Sequence, residues 1–339
     1  MLMQNNSHPQ FDVILLAYPG IGPAILYGYY DVFASAGSLW PQLISGTPGK
    51  PLFDVRIAAR SGTAFRIFDG IPVEPHVALA QVERTDLILI SEVEVDPDVS
   101  PTGMLAEEAA WLRQQYEAGA TIGASCSGSL LLAEAGLLRG EEATVHWALA
   151  EFMRIHYPET LVRSERVLCV AGEDGRLVTA GGHAGWHDLA LHMIARFCGL
   201  EEATRAAKSF LLSPHPNGQG PYAAMLKRNP VSDPVIMNCQ FWLADNYSVA
   251  NPVAEMIARS GLPSRTFSRR FGRATGYQPL DYVQSLRIEE AKQLLETSTT
   301  SIEEIGIEVG YDDPSYFRRL FKRKVGVSPR HYRTFYASK

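Results

Sequence analysis

The sequence predicts an α/β domain built on a parallel sheet, followed by an all-α domain with two helix-turn-helix units. Three observations carry this. Short β-rich runs alternate with helical patterns through the first two thirds of the chain. Strand signals then cease after a stretch rich in Pro, Gly and Asn. The helical remainder contains the same pattern twice, fifty residues apart.

The β-rich runs are FDVILLAY (11–18), FDVRIAA (53–59), TDLILIS (85–91), the stretch 120–125 and RLVTAGG (176–182). TDLILIS is apolar almost throughout, as a strand buried on both faces must be. Helical patterns cover 103–118, 129–138 and 186–198. Strands alternating with helices imply parallel βαβ units. SPHPNGQGPY and KRNPVSDP mark a linker over 213–233, which leaves a first domain over 11–212 and a second over 234–336. Helices are expected at 234–246, 252–259, 264–274, 279–296, 301–308 and 314–324.

The internal repeat sets SRTFSRRFGRATGYQPLDY (264–282) over PSYFRRLFKRKVGVSPRHY (314–332). Phe267 meets Phe317, Arg269 meets Arg319, and Phe271 meets Phe321. Gly276, Pro279 and Tyr282 meet Gly326, Pro329 and Tyr332. Each copy follows a short helix and a turn, where Gly261 and Gly310 suit a positive φ. Between the copies Val283, Leu286, Ala291, Leu294 and Leu295 share one face of a long helix.

A helix that docks on its own domain and reads a groove needs one apolar and one polar face. The first copy turns Phe267, Phe271 and Ala274 inward and Arg265, Ser268, Arg269, Gly272 and Arg273 outward. The second turns Phe317, Leu320 and Phe321 inward and Ser315, Arg318, Arg319, Lys322 and Arg323 outward. Arginine reads guanine bidentately in the major groove. Other cations hold phosphates. A solvated basic helix face explains one such pattern, but two matching copies point to double-stranded DNA.

Charge agrees. Residues 240–339 hold 15 Lys/Arg against 11 Asp/Glu, and the rest of the chain 16 against 26. The second domain is thus basic and the first acidic, as expected when they meet different partners. No run of about 18 apolar residues suggests a membrane span. MLMQNNSHPQ lacks the features of a signal peptide, so the expected location is cytoplasmic. Cys126, Cys169, Cys198 and Cys239 form no CxxC pair, which argues against a zinc cluster or disulfide framework.

Residues 234–336 resemble the DNA-binding domain of the AraC/XylS regulators, through SLRIEEAKQLLETSTTSIEEIGIEVGYDDPSYFRRLFKRKVGVSPRHYR. Gly306 departs from the alanine usual in that family, at a cost to the helix of about 0.5–1 kcal/mol. Residues 11–212 resemble the ThiJ/PfpI-like domain, through GASCSGSLLLAEAGLLRGEEATVHW and TAGGHAGWHDLALHMIARFCG. That resemblance implies a flavodoxin-like, class I glutamine amidotransferase-like sheet. The combination is similar to the GlxA-like subfamily of AraC regulators. It implies a homodimer, a small-molecule effector, operator DNA and RNA polymerase as partners, and no cofactor.

GASCSGS places Cys126 where a strand turns sharply into a helix, the geometry of a nucleophile elbow. His146 is a candidate partner and equally a plain hydrogen-bonded histidine. Ser91 and Glu92, at the end of the TDLILIS strand, complete the candidate pocket. The resemblance implies an acid beside the cysteine in enzymes of this fold, but the alignment of GYYDVF (28–33) puts Ile25 there. The departure favours a pocket that binds without turnover. His183, His187 and His192 lack the HExxH pattern, and no metal site is expected; Trp186, Leu189 and Met193 should pack their helix on the sheet. Tyr27, Tyr29, Tyr30 and Trp40 are candidates for the pocket or a dimer interface, and an aromatic cage in an acidic domain suits a cation such as a quaternary amine. Two alternatives stay open: a cysteine-dependent hydrolase or glyoxalase-like enzyme, and a redox sensor at Cys126.

Overall fold

The computed structural model describes residues 11–96, 99–223 and 233–337. It divides into two compact units, Met1–Gln219 and Gly220–Lys339. Residues 224–232 of the expected linker and residues 1–10 lie outside the described residues.

The first unit is built on a seven-stranded sheet: β1 (Phe11–Leu16), β2 (Phe53–Ala59), β3 (Val77–Ala78), β4 (Leu87–Ile90), β5 (Thr121–Ser125), β6 (Leu168–Ala171) and β7 (Leu177–Ala180). Its order is β6-β7-β5-β4-β1-β2-β3, parallel except for β6 at one edge. Among the described residues seven helices surround it: α1 (Pro23–Ser35), α2 (Leu39–Ser45), α3 (Ala106–Glu117), α4 (Ser129–Glu134), α5 (Ala150–His156), α6 (Trp186–Cys198) and α7 (Leu200–Phe210). All four residues of β4 are buried, as are Val13 to Leu16 of β1. Such strands are stabilised by apolar burial on both faces.

From β1 the chain moves outward to β2 and β3, then returns to the other side of β1 as β4. The reversal makes the crevice between β1 and β4 the switch point, where open parallel sheets bind their ligands. Ser91, Glu92 and Cys126 follow the carboxyl ends of β4 and β5. The five expected strands are present. The antiparallel β6, the two-residue β3 and the helices α2, α5 and α7 were not anticipated. Leu189 and Met193 are fully buried against the sheet, but Trp186 packs on α1 instead, edge-on to Tyr29 at 5.5 Å.

The second unit contains α8 (Pro234–Asn246), α9 (Pro252–Ser260), α10 (Ser264–Thr275), α11 (Pro279–Thr297), α12 (Ile302–Glu308), α13 (Pro314–Val325) and α14 (Pro329–Tyr336). The six expected helices agree to within one residue at each end, and α14 is additional. The repeat accounts for it: Pro279 opens α11 after the first copy, and Pro329 opens α14 after the second. Proline is favoured there because its missing N–H falls among donors a helix start leaves unpaired.

Two apolar clusters form. Phe267 and Phe271 pack with Ile236, Leu243, Met256 and Val283. Phe317 and Phe321 pack with Ile288, Ala291, Leu295, Ile305 and Tyr332. The long α11 therefore gives its early apolar residue to one helix-turn-helix and its later ones to the other. Gly261 and Gly310 have φ of 63° and 91°, as the two turns require. A Cβ on Gly306 would lie 3.0 Å from the Phe317 ring, so the glycine lets α12 approach α13 closely.

Candidate functional site

At the end of β5 the backbone turns sharply, and Cys126 takes a φ of 57°. A side chain in this region is strained, and such strain is held at sites that need it. Two small neighbours permit the turn. A Cβ on Gly128 would lie 1.9 Å from the Ser91 carbonyl oxygen. Ser127 Oγ accepts from Val93 N–H at 2.9 Å and donates to Val93 C=O at 2.7 Å, which fastens the elbow to the chain leaving β4.

The thiol is buried, and its pKa is pushed up to about 11, first by burial and further by the negative charge of Glu92. Iodoacetamide alkylation of Cys126, read by peptide mass, should therefore rise with pH toward a midpoint near 11. A midpoint near the ordinary thiol value of about 8.5 would show an activated or exposed cysteine instead.

Glu92 carries the acid that Ile25 lacks. Ile25 is fully buried on α1. The Glu92 carboxylate instead reaches in from the end of β4, accepts from the Gly22 N–H, and keeps Oε2 buried with no partner among the described residues. Burial holds its pKa above the usual carboxylate range, against lowering by its own and the Gly22 N–H and by His183. Gly22 leaves it room, since a Cβ there would lie 1.9 Å from Glu92 Oε1. Tyr18, which sequence reasoning did not select, donates to the Glu92 carbonyl at 3.2 Å. The hydroxyls of Ser91 and Ser129 are also buried without partners among the described residues.

His146 is beside the elbow through its backbone, whose N–H donates to Cys126 C=O at 3.4 Å. Its ring Nδ1 accepts from Ala148 N–H at 3.2 Å, and among the described residues no hydrogen bond joins the ring to the thiol. Burial, with help from His183, holds its pKa below the ordinary histidine value. The ring is neutral at pH 7, with its proton on Nε2. Of the four aromatics proposed from the sequence, Tyr29 is buried and feels the charges of Glu92 and Cys126. Tyr30 stacks on His76 at 5.8 Å, Lys208 lies over Trp40 at 5.8 Å, and Tyr27 is exposed. Among the described residues no cluster of three or more His, Cys, Asp or Glu side chains is placed to hold a metal.

In the second unit, Arg265, Arg269, Arg273, Ser315, Arg318, Arg319, Lys322 and Arg323 are exposed and Ser268 is half-buried. Ser268, Arg269 and Arg273 line a concavity of 680 Å³ with Tyr277, Gln278 and Lys324. Lys324 was not selected from the sequence. Arg318 is engaged by Glu303 of α12. Arg270, also on α10, turns away and makes two 2.7 Å bonds to Asp233, the N-cap of α8.

Residues 53–196 match the DJ-1/PfpI family, and residues 256–334 match a helix-turn-helix domain. The HTH-type transcriptional regulator CdhR of Pseudomonas aeruginosa is 25% identical over 301 residues, covering 88% of this chain and 87% of that protein. The HTH-type transcriptional regulator GlxA of Rhizobium meliloti is 27% identical over 219 residues, covering 64% of this chain and 66% of that protein. The chain thus pairs a DJ-1/PfpI domain with an AraC-type helix-turn-helix domain. It is a DNA-binding transcriptional regulator. A solved protein from Vibrio parahaemolyticus, 20% identical, matches 60% of this chain and all of its own length with a TM-score of 0.50, which bears on the fold of the first unit. Among the described residues no helix is long and apolar enough to cross a membrane.

Proposed function

We propose that this regulator binds a small effector at the elbow without chemical turnover and reads operator DNA with α10 and α13. In this reading residues 11–212 sense, 213–233 link, and 234–336 bind DNA. Cys126, His146, Ser91 and Glu92 form the effector site. Arg265, Ser268, Arg269, Arg273, Ser315, Arg318, Arg319, Lys322 and Arg323 form the DNA surface. The protein acts in the cytoplasm as a homodimer and engages RNA polymerase at the promoter.

The observation that carries the non-catalytic reading is the burial of the Cys126 thiol, which pushes its pKa up to about 11, with the His146 ring bonded to Ala148 N–H and not to the thiol. A nucleophile at pH 7 needs its thiolate, and here burial and Glu92 both oppose it. The buried, unpartnered oxygen of Glu92 supports an effector with a cationic group. Affinity for such an effector should strengthen as pH rises through the elevated pKa of Glu92, because only the ionised carboxylate attracts the cation.

The test measures binding of full-length protein to its own upstream DNA, with and without a metabolite panel, for wild type, Cys126→Ala and Glu92→Gln. The expected result is an effector response that survives Cys126→Ala and is lost in Glu92→Gln. Consumption of the metabolite by wild type, absent in Cys126→Ala, would sink the non-catalytic reading.

A further inference from the structure

Gln219 is the last residue of the first unit, and Gly220 opens the second. In sequence Gln219 lies in a Pro/Gly-rich stretch, where a polar side chain should face solvent. It is instead almost completely buried. Its Oε1 accepts from Trp147 N–H at 3.0 Å. Its Nε2 faces four acceptors: Val145 C=O at 2.9 Å, and Thr144 Oγ1, Ser164 C=O and Arg166 C=O, each at 3.1 Å. Two amide protons serve these four, so the side chain is saturated and fixed in orientation.

Trp147 and Val145 are the two neighbours of His146, whose own N–H donates to the Cys126 carbonyl. One side chain thus holds the backbone on both sides of the residue tied to the elbow. The preceding residues are also fastened within the first unit. His215 donates its backbone N–H to Asp188 at 2.8 Å, and its ring Nδ1 lies 2.7 Å from the same carboxylate. Gln219 N–H donates to Glu165 C=O at 3.1 Å, and Gly218 fits where a Cβ would lie 2.1 Å from that oxygen. Gly220 packs within the second unit, where a Cβ would lie 2.3 Å from the carbonyl of Val325, the last residue of α13.

We infer that Gln219 is the positioning residue that passes the state of the Cys126 site to the DNA-binding unit, because its buried amide grips both flanks of His146 and its own backbone leads directly into that unit. The inference rests on the proposed reading of the elbow as the effector site. An occupant that displaces the 144–147 backbone must either break this set of hydrogen bonds or move Gln219 with it. A saturated buried amide resists the first, since each orphaned partner carries a desolvation penalty. Displacement is therefore delivered to the chain that enters the second unit.

The test uses the full-length protein and iodoacetamide as a covalent occupant of the elbow. Protein carboxamidomethylated at Cys126 is compared with unmodified protein for affinity toward a duplex selected by wild type from a random-sequence pool. A Cys126→Ala chain treated in the same way controls for the other three thiols. In wild type, alkylation should change the affinity about fivefold or more, the usual range of coupling between sites. In Gln219→Ala the unmodified protein should bind like unmodified wild type, and alkylation should change nothing. A merely structural role would weaken binding of the unmodified variant as well, and that result overturns the inference. So does a Gln219→Ala protein that keeps the wild-type response, or a wild type indifferent to alkylation. Failure to select any duplex would instead sink the DNA-binding reading, and the inference with it. Should Gln219→Ala not fold, amide exchange in wild type serves. Protection of the Trp147 N–H, bonded to Gln219, should change on alkylation of Cys126, and an unchanged rate overturns the inference.

Discussion

Arg287→Ala should destabilise the second unit by roughly 2–4 kcal/mol, because carbonyls that lose their donor each carry a desolvation penalty of up to about 1–3 kcal/mol. Arg287 is on α11 and is almost completely buried. Its guanidinium donates to the carbonyls of Tyr247 at 2.7 Å, Val249 at 2.7 Å and Gly310 at 2.8 Å. Tyr247 caps the C-terminus of α8, and Gly310 follows the C-terminus of α12. The negative ends of two helix dipoles therefore compensate a cation bonded to these three carbonyls. The ring of Tyr311, 4.9 Å from Cζ, adds a cation–π contact. One side chain so ties the α8–α9 connection and the turn of the second helix-turn-helix to the long helix between the two units. Alanine leaves three part-buried carbonyls without the guanidinium that serves them. Lysine should recover little, because one ammonium on a flexible stem does not reproduce a planar fork. Urea titration of the full chain, with amide exchange resolving the second unit, gives the measurement. An unchanged midpoint for α11 to α13 would show that water or backbone shifts replace the guanidinium.

Arg287 also shows where the sequence was readable and where it was not. Val283, Arg287, Ala291 and Leu295 are four residues apart, so the arginine stands in the middle of the apolar stripe. The pattern marks it as unusual. It does not reveal three carbonyls contributed by turns up to 40 residues away. The two recognition helices were legible because their information is local: Phe, Arg and Gly recur at helical spacing, and a copy fifty residues later confirms them. The elbow was legible for the same reason, since GASCSGS contains its own small neighbours. Glu92 could be placed at a strand end, but its bond to Gly22 depends on which strands lie side by side, and periodicity does not encode sheet order. Gln219 gave no signal. A glutamine among prolines and glycines reads as linker, and only the fold supplies the acceptors that bury it. The edge strand β6 was missed because LCVA is too short for alternation to register against its surroundings.

Arg269→Ala and Arg319→Ala should each weaken operator binding by about 1–3 kcal/mol, roughly 5- to 150-fold, if each guanidinium reads a guanine. The two occupy equivalent positions on α10 and α13, fifty residues apart, and both are exposed. Their equivalence makes the prediction sharper than either residue alone. Two helices reading separate major-groove faces should lose affinity additively, so the double variant should approach the sum of the singles to within about 0.5 kcal/mol. Arg318→Ala should cost less, because Arg318 is already engaged by Glu303 and its removal also frees a carboxylate near the groove. Arg139→Ala, in the first unit and paired with Glu159 at 3.4 Å, should be neutral. Salt titration separates the two roles an arginine can play. Loss of a phosphate contact lowers affinity for all sequences alike and reduces the salt slope by about 1. Loss of a base contact leaves the slope and relaxes the preference at one position of the site. Uniform weakening in both single variants would assign Arg269 and Arg319 to the backbone, and sequence readout would then fall to Arg265 and Arg273 on α10 and to Lys322 and Arg323 on α13.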